Sequence, residues 1–250
     1  MSHESVTHPT GAYRYLPAIA AYSSGVAAEP GFEFTALRFR ETQTLADGFN
    51  RIDRELADRG LGAQALVGLE LRSPGAFDFE TFAAFNDEYH ALLEARGLMV
   101  DGVNPISRTN VIPLHDGPTA PSILTAYLVR PSETPGTRDF VIAGSGEVRG
   151  PLLPENIAAR GDVSPDGIAL KADIVIEELA DRLASLEAER AEATTVNVYT
   201  SHSVDHLGAK LLAGFPSIAH AGYVRWQATP PVAEIEFEMD CSRVGSLIFL

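Results

Sequence analysis

The stretch Asn104-Pro-Ile-Ser-Arg-Thr-Asn-Val-Ile-Pro113 places one arginine, Arg108, where a strand is expected to begin. An arginine at the start of a strand can present a planar fork of N–H donors to a carboxylate. A surface ion pair is the plainer role for the same residue, and spacing alone leaves both open. Other candidate chemistry is weaker. His202 and His206 lie four apart, but the first is followed by Ser203 rather than the Glu of a zinc helix, and no third ligand follows. They read as structural or solvated histidines, and no metal is expected. Gly144-Ser-Gly146 runs into Glu147 and lacks the Lys and Ser/Thr of a phosphate-binding loop, so no nucleotide cofactor is expected either. A Ser/His/Asp triad is a spatial arrangement, and no nucleophile-elbow pattern supports one here.

The chain-wide balance narrows the ligand. Of 250 residues, 34 are acidic and 19 basic, for a net charge of −15. That opposes a nucleic-acid partner, which needs a basic surface. It leaves room for a small anion, because one well-placed arginine can bind a carboxylate whatever the net charge. The 45% hydrophobic content provides ample material for a core. The longest uncharged runs, such as Tyr15 to Ala28, are shorter than the roughly 18–20 residues of a spanning helix, so no membrane segment is expected. No basic segment followed by an apolar run opens the chain, so no secretory signal is expected. The lone Cys241 can form neither an internal disulfide nor a metal cluster, which fits a reducing cytoplasm.

The elements that must position Arg108 repeat. An apolar run, Ala18 to Tyr22, ends in Ser23-Ser24-Gly25, and Phe140 to Ala143 ends in Gly144-Ser145-Gly146. Each leads through a loop to a helix. In the first, Leu45, Phe49, Ile52 and Leu56 recur at helical spacing, with Gly60 at the stop. In the second, Ile168, Ala172, Val175, Leu179, Leu183 and Leu186 do so, and Ser164-Pro165-Asp166 is a helix start. The helices even share letters, Glu55-Leu-Ala-Asp-Arg59 and Glu178-Leu-Ala-Asp-Arg182.

A strand follows each helix. Val67, Leu69 and Leu71 alternate with Gly68, Glu70 and Arg72, and Val196, Val198 and Thr200 with Asn197 and Tyr199. Period two predicts one buried and one wetter face. A second helix comes next: Phe82, Phe85, Tyr89 and Leu92 share a face, and a short one spans Val204 to Ala213 before Pro216. Strands Ser122 to Val129 and Ala233 to Met239 close the halves. With Pro131-Ser-Glu-Thr-Pro-Gly-Thr137 as a linker, the pattern predicts a duplicated α+β unit: residues 1–130, a linker 131–138, and residues 139–250. Each unit would be a mixed sheet with two helices packed on one face.

Ser107-Arg108-Thr109, the Ser24-Gly25 pair after the first long strand, and Phe85-Asn86-Asp87-Glu88-Tyr89 in the second helix resemble the Rid/YjgF family. Those proteins are enamine/imine deaminases of the chorismate-mutase-like fold that assemble as trimers. The resemblance covers both halves and implies two tandem Rid-like domains in a homotrimer. It implies that Arg108 holds the substrate carboxylate, that Asn86 and Tyr89 belong to the pocket, and that the backbone of Ser24 and Gly25 lines it. The family's Glu in the last strand is absent from Ser122 to Tyr127, whereas Glu234-Ile-Glu236 fits it in the second half. The second half lacks the arginine in turn, since Gly222 or its neighbours stand there and Arg225 is displaced. The expected site is therefore composite. Arg108 and Asn86 come from the first half, and Glu147 or Glu236 from the second, Glu236 as the catalytic carboxylate.

The implied reaction is hydrolysis of a short 2-imino acid to ammonia and a 2-oxo acid. It needs no metal or organic cofactor, because a protonated imine is already an electrophile. Two other functions stay open: a non-catalytic small-molecule-binding or assembly module, and a chorismatase-like enzyme acting on chorismate.

Overall fold

The computed structural model describes residues 4–132, 136 and 138–250. A short β1 (Val6–Thr7) precedes the hairpin of β2 (Tyr13–Ile19) and β3 (Tyr22–Ala28). A long β4 (Phe32–Thr44) leads into α1 (Leu45–Asp58), which begins where the Thr44 hydroxyl accepts from the Asp47 N–H. Then come β5 (Leu66–Arg72), α2 (Phe79–Glu94), β6 (Ser107–Pro113) and β7 (Ser122–Pro131). Asp78 and Thr81 form a reciprocal cap at the start of α2. The second half runs β8 (Phe140–Gly146), α3 (Pro165–Ser185), β9 (Thr195–Tyr199), α4 (Gly208–Gly214) and α5 (Ile218–Ala221). It ends with β10 (Val224–Trp226), β11 (Ala228–Thr229), β12 (Glu238–Arg243) and β13 (Ser246–Phe249). Ser164 caps α3, and the matching pairs Glu55–Arg59 and Glu178–Arg182 are ion pairs one helical turn apart.

The expectation of two tandem chorismate-mutase-like domains is overturned. Among the described residues the strands form one 13-stranded sheet, whose main path runs β10-β9-β12-β8-β3-β6-β5-β7-β4-β13. β8 pairs antiparallel with β3, which joins the two halves edge to edge. The C-terminal strand β13 returns to pair with β4 at the far edge, and β11 pairs with β6. The sheet curls enough to bring Arg38 of β4 within 5.5 Å of the Trp226 ring on β10.

The cores interlock as well. The cluster under α1 and α2 includes Val232 and Ile235, and the cluster under α3 and α4 includes Leu16 and Ala27. Neither half can bury its apolar face without side chains from the other. Pro131 ends β7, and residues 133–135 and 137 of the expected linker lie outside the described residues.

Three local readings also change. Ala18 to Tyr22 spans the hairpin turn, so Ser24 and Gly25 lie inside β3 rather than after a strand. Glu70 and Arg72 are buried, because the inner face of the curled sheet is filled by polar side chains: Glu70 accepts from Arg38 and Thr125 there. The strand expected over Ala233 to Met239 starts only at Glu238, while residues 234–237 form an irregular approach to it. Among the described residues, no helix is long and apolar enough to cross a membrane.

Candidate active site

Where β3, β6 and β8 meet, a cavity of about 1250 Å³ opens between α2 on one side and α3 on the other. Arg108 of β6 lines it with only 3% of its surface exposed. Four rings hold its guanidinium: Tyr22 at 4.8 Å, Tyr89 at 4.9 Å, Phe85 at 5.5 Å and Phe82 at 5.9 Å from the ring centroids. Nη2 donates to Asn86 Oδ1 at 2.7 Å, and Nη1 is a buried donor without a partner. Burial lowers the pKa of Arg108, and Tyr89, Tyr22 and Glu238 act against that. A stiff, desolvated cation with an unmet donor is built to take an anion.

Of the carboxylates along the cavity wall, the buried one that interacts with Arg108 is Glu238, the first residue of β12. It is 6% exposed. Burial holds its carboxyl well above the usual carboxylate range. Asp240 and Glu147 push the same way, and Arg108 and Arg182 pull it back. Glycine at position 144 is a steric requirement of this arrangement. A Cβ there would stand 2.0 Å from Glu238 Oε1. Arg182 of α3 also lines the cavity, but its donors are engaged. Nε reaches Glu178 at 2.9 Å, Nη1 the Ala143 carbonyl at 3.2 Å, and Nη2 Ser145 Oγ at 3.3 Å. Asn110, two residues beyond Arg108 on β6, completes the polar wall with Ser24.

The expected site residues separate into three groups. Arg108, Asn86 and Ser24 line the cavity together. Tyr89 stands behind Arg108 as part of its aromatic box, its buried hydroxyl unpartnered and raised in pKa by desolvation. Gly25, Glu147 and Glu236 do not line the cavity. A Cβ on Gly25 would press on Ile142 and Leu186, so this glycine allows close packing of the two halves. Glu236 meets His202 Nε2 at 2.7 Å outside the cavity, with its side chain 26% exposed. His206 Nε2 instead contacts the Pro165 carbonyl, so the two histidines share no ligand.

Glu147 forms a fully buried pair with Lys171 Nζ at 2.9 Å and accepts the backbone N–H groups of Glu236 and Phe237. It thereby pins the approach to Glu238. Removing one partner of a buried pair leaves the other charge uncompensated. Lys171→Ala is therefore expected to cost about 3–5 kcal/mol of stability in urea unfolding. A loss below 1 kcal/mol would show that the pair does not carry this load.

The residue that sequence reasoning missed is Glu238. It stands in the same alternating run as Glu234 and Glu236, and the signal that singles it out is the pair of glycines, Gly144 and Gly146, on the neighbouring strand. Glycine inside a strand marks close approach of another group. Asn110 was likewise legible as the residue sharing a strand face with Arg108.

Comparison with known proteins agrees with a deaminase and redefines its kind. A crystal structure of a chorismatase superposes with a TM-score of 0.50 at 12% identity, covering 96% of this chain and 78% of that one. At that identity the likeness concerns the fold alone, and it accords with one continuous sheet in place of two tandem domains. The 2-amino-5-chloromuconate deaminase of Comamonas testosteroni is 39% identical over 241 residues, 95% of each chain. A family model described as 2-aminomuconate deaminase CnbZ matches residues 5–247. The resemblance to Rid/YjgF thus anticipated a deaminase but not the family, and the chain belongs to the 2-aminomuconate deaminase CnbZ family.

Proposed function

We propose that this protein hydrolyses the enamine or imine form of a 2-aminomuconate-type acid, releasing ammonia and a 2-oxo acid. The observation that carries the reading is the meeting, in one cavity, of a buried Arg108 and a buried Glu238 whose carboxyl pKa is raised by burial. The deaminase family supports the same substrate class.

Arg108 takes the carboxylate next to the amino-bearing carbon, and Asn86 and the four rings keep it from swinging away. That fixes the reacting carbon against Glu238. Glu238 gives its proton to the carbon beside the C–N centre, which turns the enamine into an iminium. As a carboxylate it then takes a proton from the water that adds to the iminium carbon, the one that bears the nitrogen. It passes the proton to the amine nitrogen, and the C–N bond breaks as the hydroxyl proton returns to Glu238. The water oxygen ends as the ketone, and one ammonia leaves for each water consumed. A carboxyl with a raised pKa can serve both as donor and as acceptor in such a cycle.

The test is ammonia release from 2-aminomuconate generated in the assay, followed together with the loss of the diene absorbance. Ammonia formed in step with substrate loss, above the uncatalysed rate, is the expected result. Substrate loss at the uncatalysed rate would overturn the reading.

A further inference from the structure

We infer that Asn110 reads a second, distal carboxylate and so makes the site selective for dicarboxylic substrates; this rests on the deaminase reading above. Asn110 is 4% exposed and lines the cavity beside Arg108. Its Oδ1 accepts from Ser73 Oγ at 3.0 Å, which fixes the amide, and its Nδ2 is a buried donor without a partner among the described residues. Unmatched buried donors are uncommon and costly, and a ligand acceptor would satisfy this one.

Positions 108 and 110 are two apart on β6, so both side chains leave the same face. Their bases lie about 6.6 Å apart at the usual rise of a strand. An extended chain gains about 1.2 Å per bond, so the five bonds between the end carbons of a six-carbon diacid span about 6 Å. Two unmatched donors that leave one strand face from bases at that spacing suit the two ends of one such molecule. Arg149 and Arg182 are further cations at the cavity wall, but Arg149 is exposed and pairs with Glu177, and Glu178, Ala143 and Ser145 already hold the Arg182 guanidinium.

The probes are trans,trans-hexa-2,4-dienedioate and trans,trans-hexa-2,4-dienoate, the same six-carbon chain with two carboxylates or one. Calorimetric titration of the wild type is expected to show the diacid binding roughly tenfold more tightly, the effect of one hydrogen bond to a charged group. Asn110→Ala should abolish that difference and leave the monoacid unchanged. Asn110→Asp, which keeps the shape and places a negative charge at the same point, should reverse the preference. Arg108→Ala should weaken both probes.

A preference that survives Asn110→Ala, or that vanishes in Arg182→Ala or Arg149→Ala instead, overturns the inference, as does a wild type that binds the two probes alike or neither. Ammonia release measured in parallel separates the two claims. A wild type that prefers the diacid through Asn110 yet forms no ammonia would refute the deaminase reading alone.

Discussion

Arg108→Ala is expected to lower kcat/KM for ammonia release by about 10²–10⁴-fold, the consequence of truncating a buried charge that pairs with its ligand. Three features set the size of this effect. The guanidinium is desolvated, so its attraction for a carboxylate is weakly screened. It is held by Asn86 and by rings on α2 and β3, so little ordering remains to be done when substrate arrives. It also has an unmet donor that the carboxylate would satisfy. Arg108→Lys should recover little of the loss, because a lysine offers a point charge where the rings and Asn86 are arranged around a plane. Steady-state assays at saturating and limiting substrate check this. A variant within threefold of the wild type in kcat/KM would remove Arg108 from the mechanism.

The second large effect is expected at Glu238, where rate and stability should move in opposite directions. Glu238→Gln removes the proton donor, and a loss of about 10²–10⁴-fold in kcat is the usual size for a positioned acid or base. The same change should stabilise the fold at neutral pH by about 1–2 kcal/mol, as expected where a site is kept in a costly state for its function.

The sign follows from the raised pKa. The native state binds the Glu238 proton more tightly than the unfolded chain does. The stability this contributes is complete below the unfolded carboxyl's pKa and is lost as pH rises through the folded one. Asp240 adds a slope of the same sign, since burial and the charge of Glu70 raise it from 3.8 to about 6. Wild-type stability should therefore fall as pH climbs from about 4 through 6 and beyond. Glu238→Gln should retain only the part due to Asp240. Thermal melts across that range test the stability claim, and the alkaline limb of the wild-type rate profile tests the acid. Melts that fall equally in both proteins would show that Glu238 is not held neutral.

The helices and the arginine were legible because their signals are local. Leu45, Phe49, Ile52 and Leu56 lie on one face of any helix they form, and they pack against the sheet as the spacing requires. Ser107 to Pro113 carries Arg108 on a strand for a reason equally local, a short segment with the β-branched Thr109, Val111 and Ile112 bounded by two prolines. The duplication was legible only as an order of elements. Each half resembles a unit that could close on its own, and letter matches such as Glu55–Arg59 and Glu178–Arg182 reinforce that impression. Yet both pairs are ordinary ion pairs one turn apart, which a helix supports in any fold.

Strand partnership is a different kind of information. No local pattern states that β8 lies against β3, that β13 returns to β4, or that Val232 and Ile235 fill the core of the other half. These pairings join residues more than a hundred positions apart, and they convert two apparent domains into one sheet. They also decide the site. Glu236 and Glu238 share an alternating run and look equivalent as letters. Glu147 binds the backbone at Glu236 and Phe237, which holds that part of the chain out of the strand, and Glu238 alone enters beside Gly144 and the cavity. Neighbours along the chain were enough to specify the helices and the strand that bears Arg108, because those depend on local pattern. The tertiary structure alone decided which carboxylate faces that arginine and that Asn110 stands unmatched beside it. A side chain's pKa and its unmet hydrogen bonds are set by what folds over it.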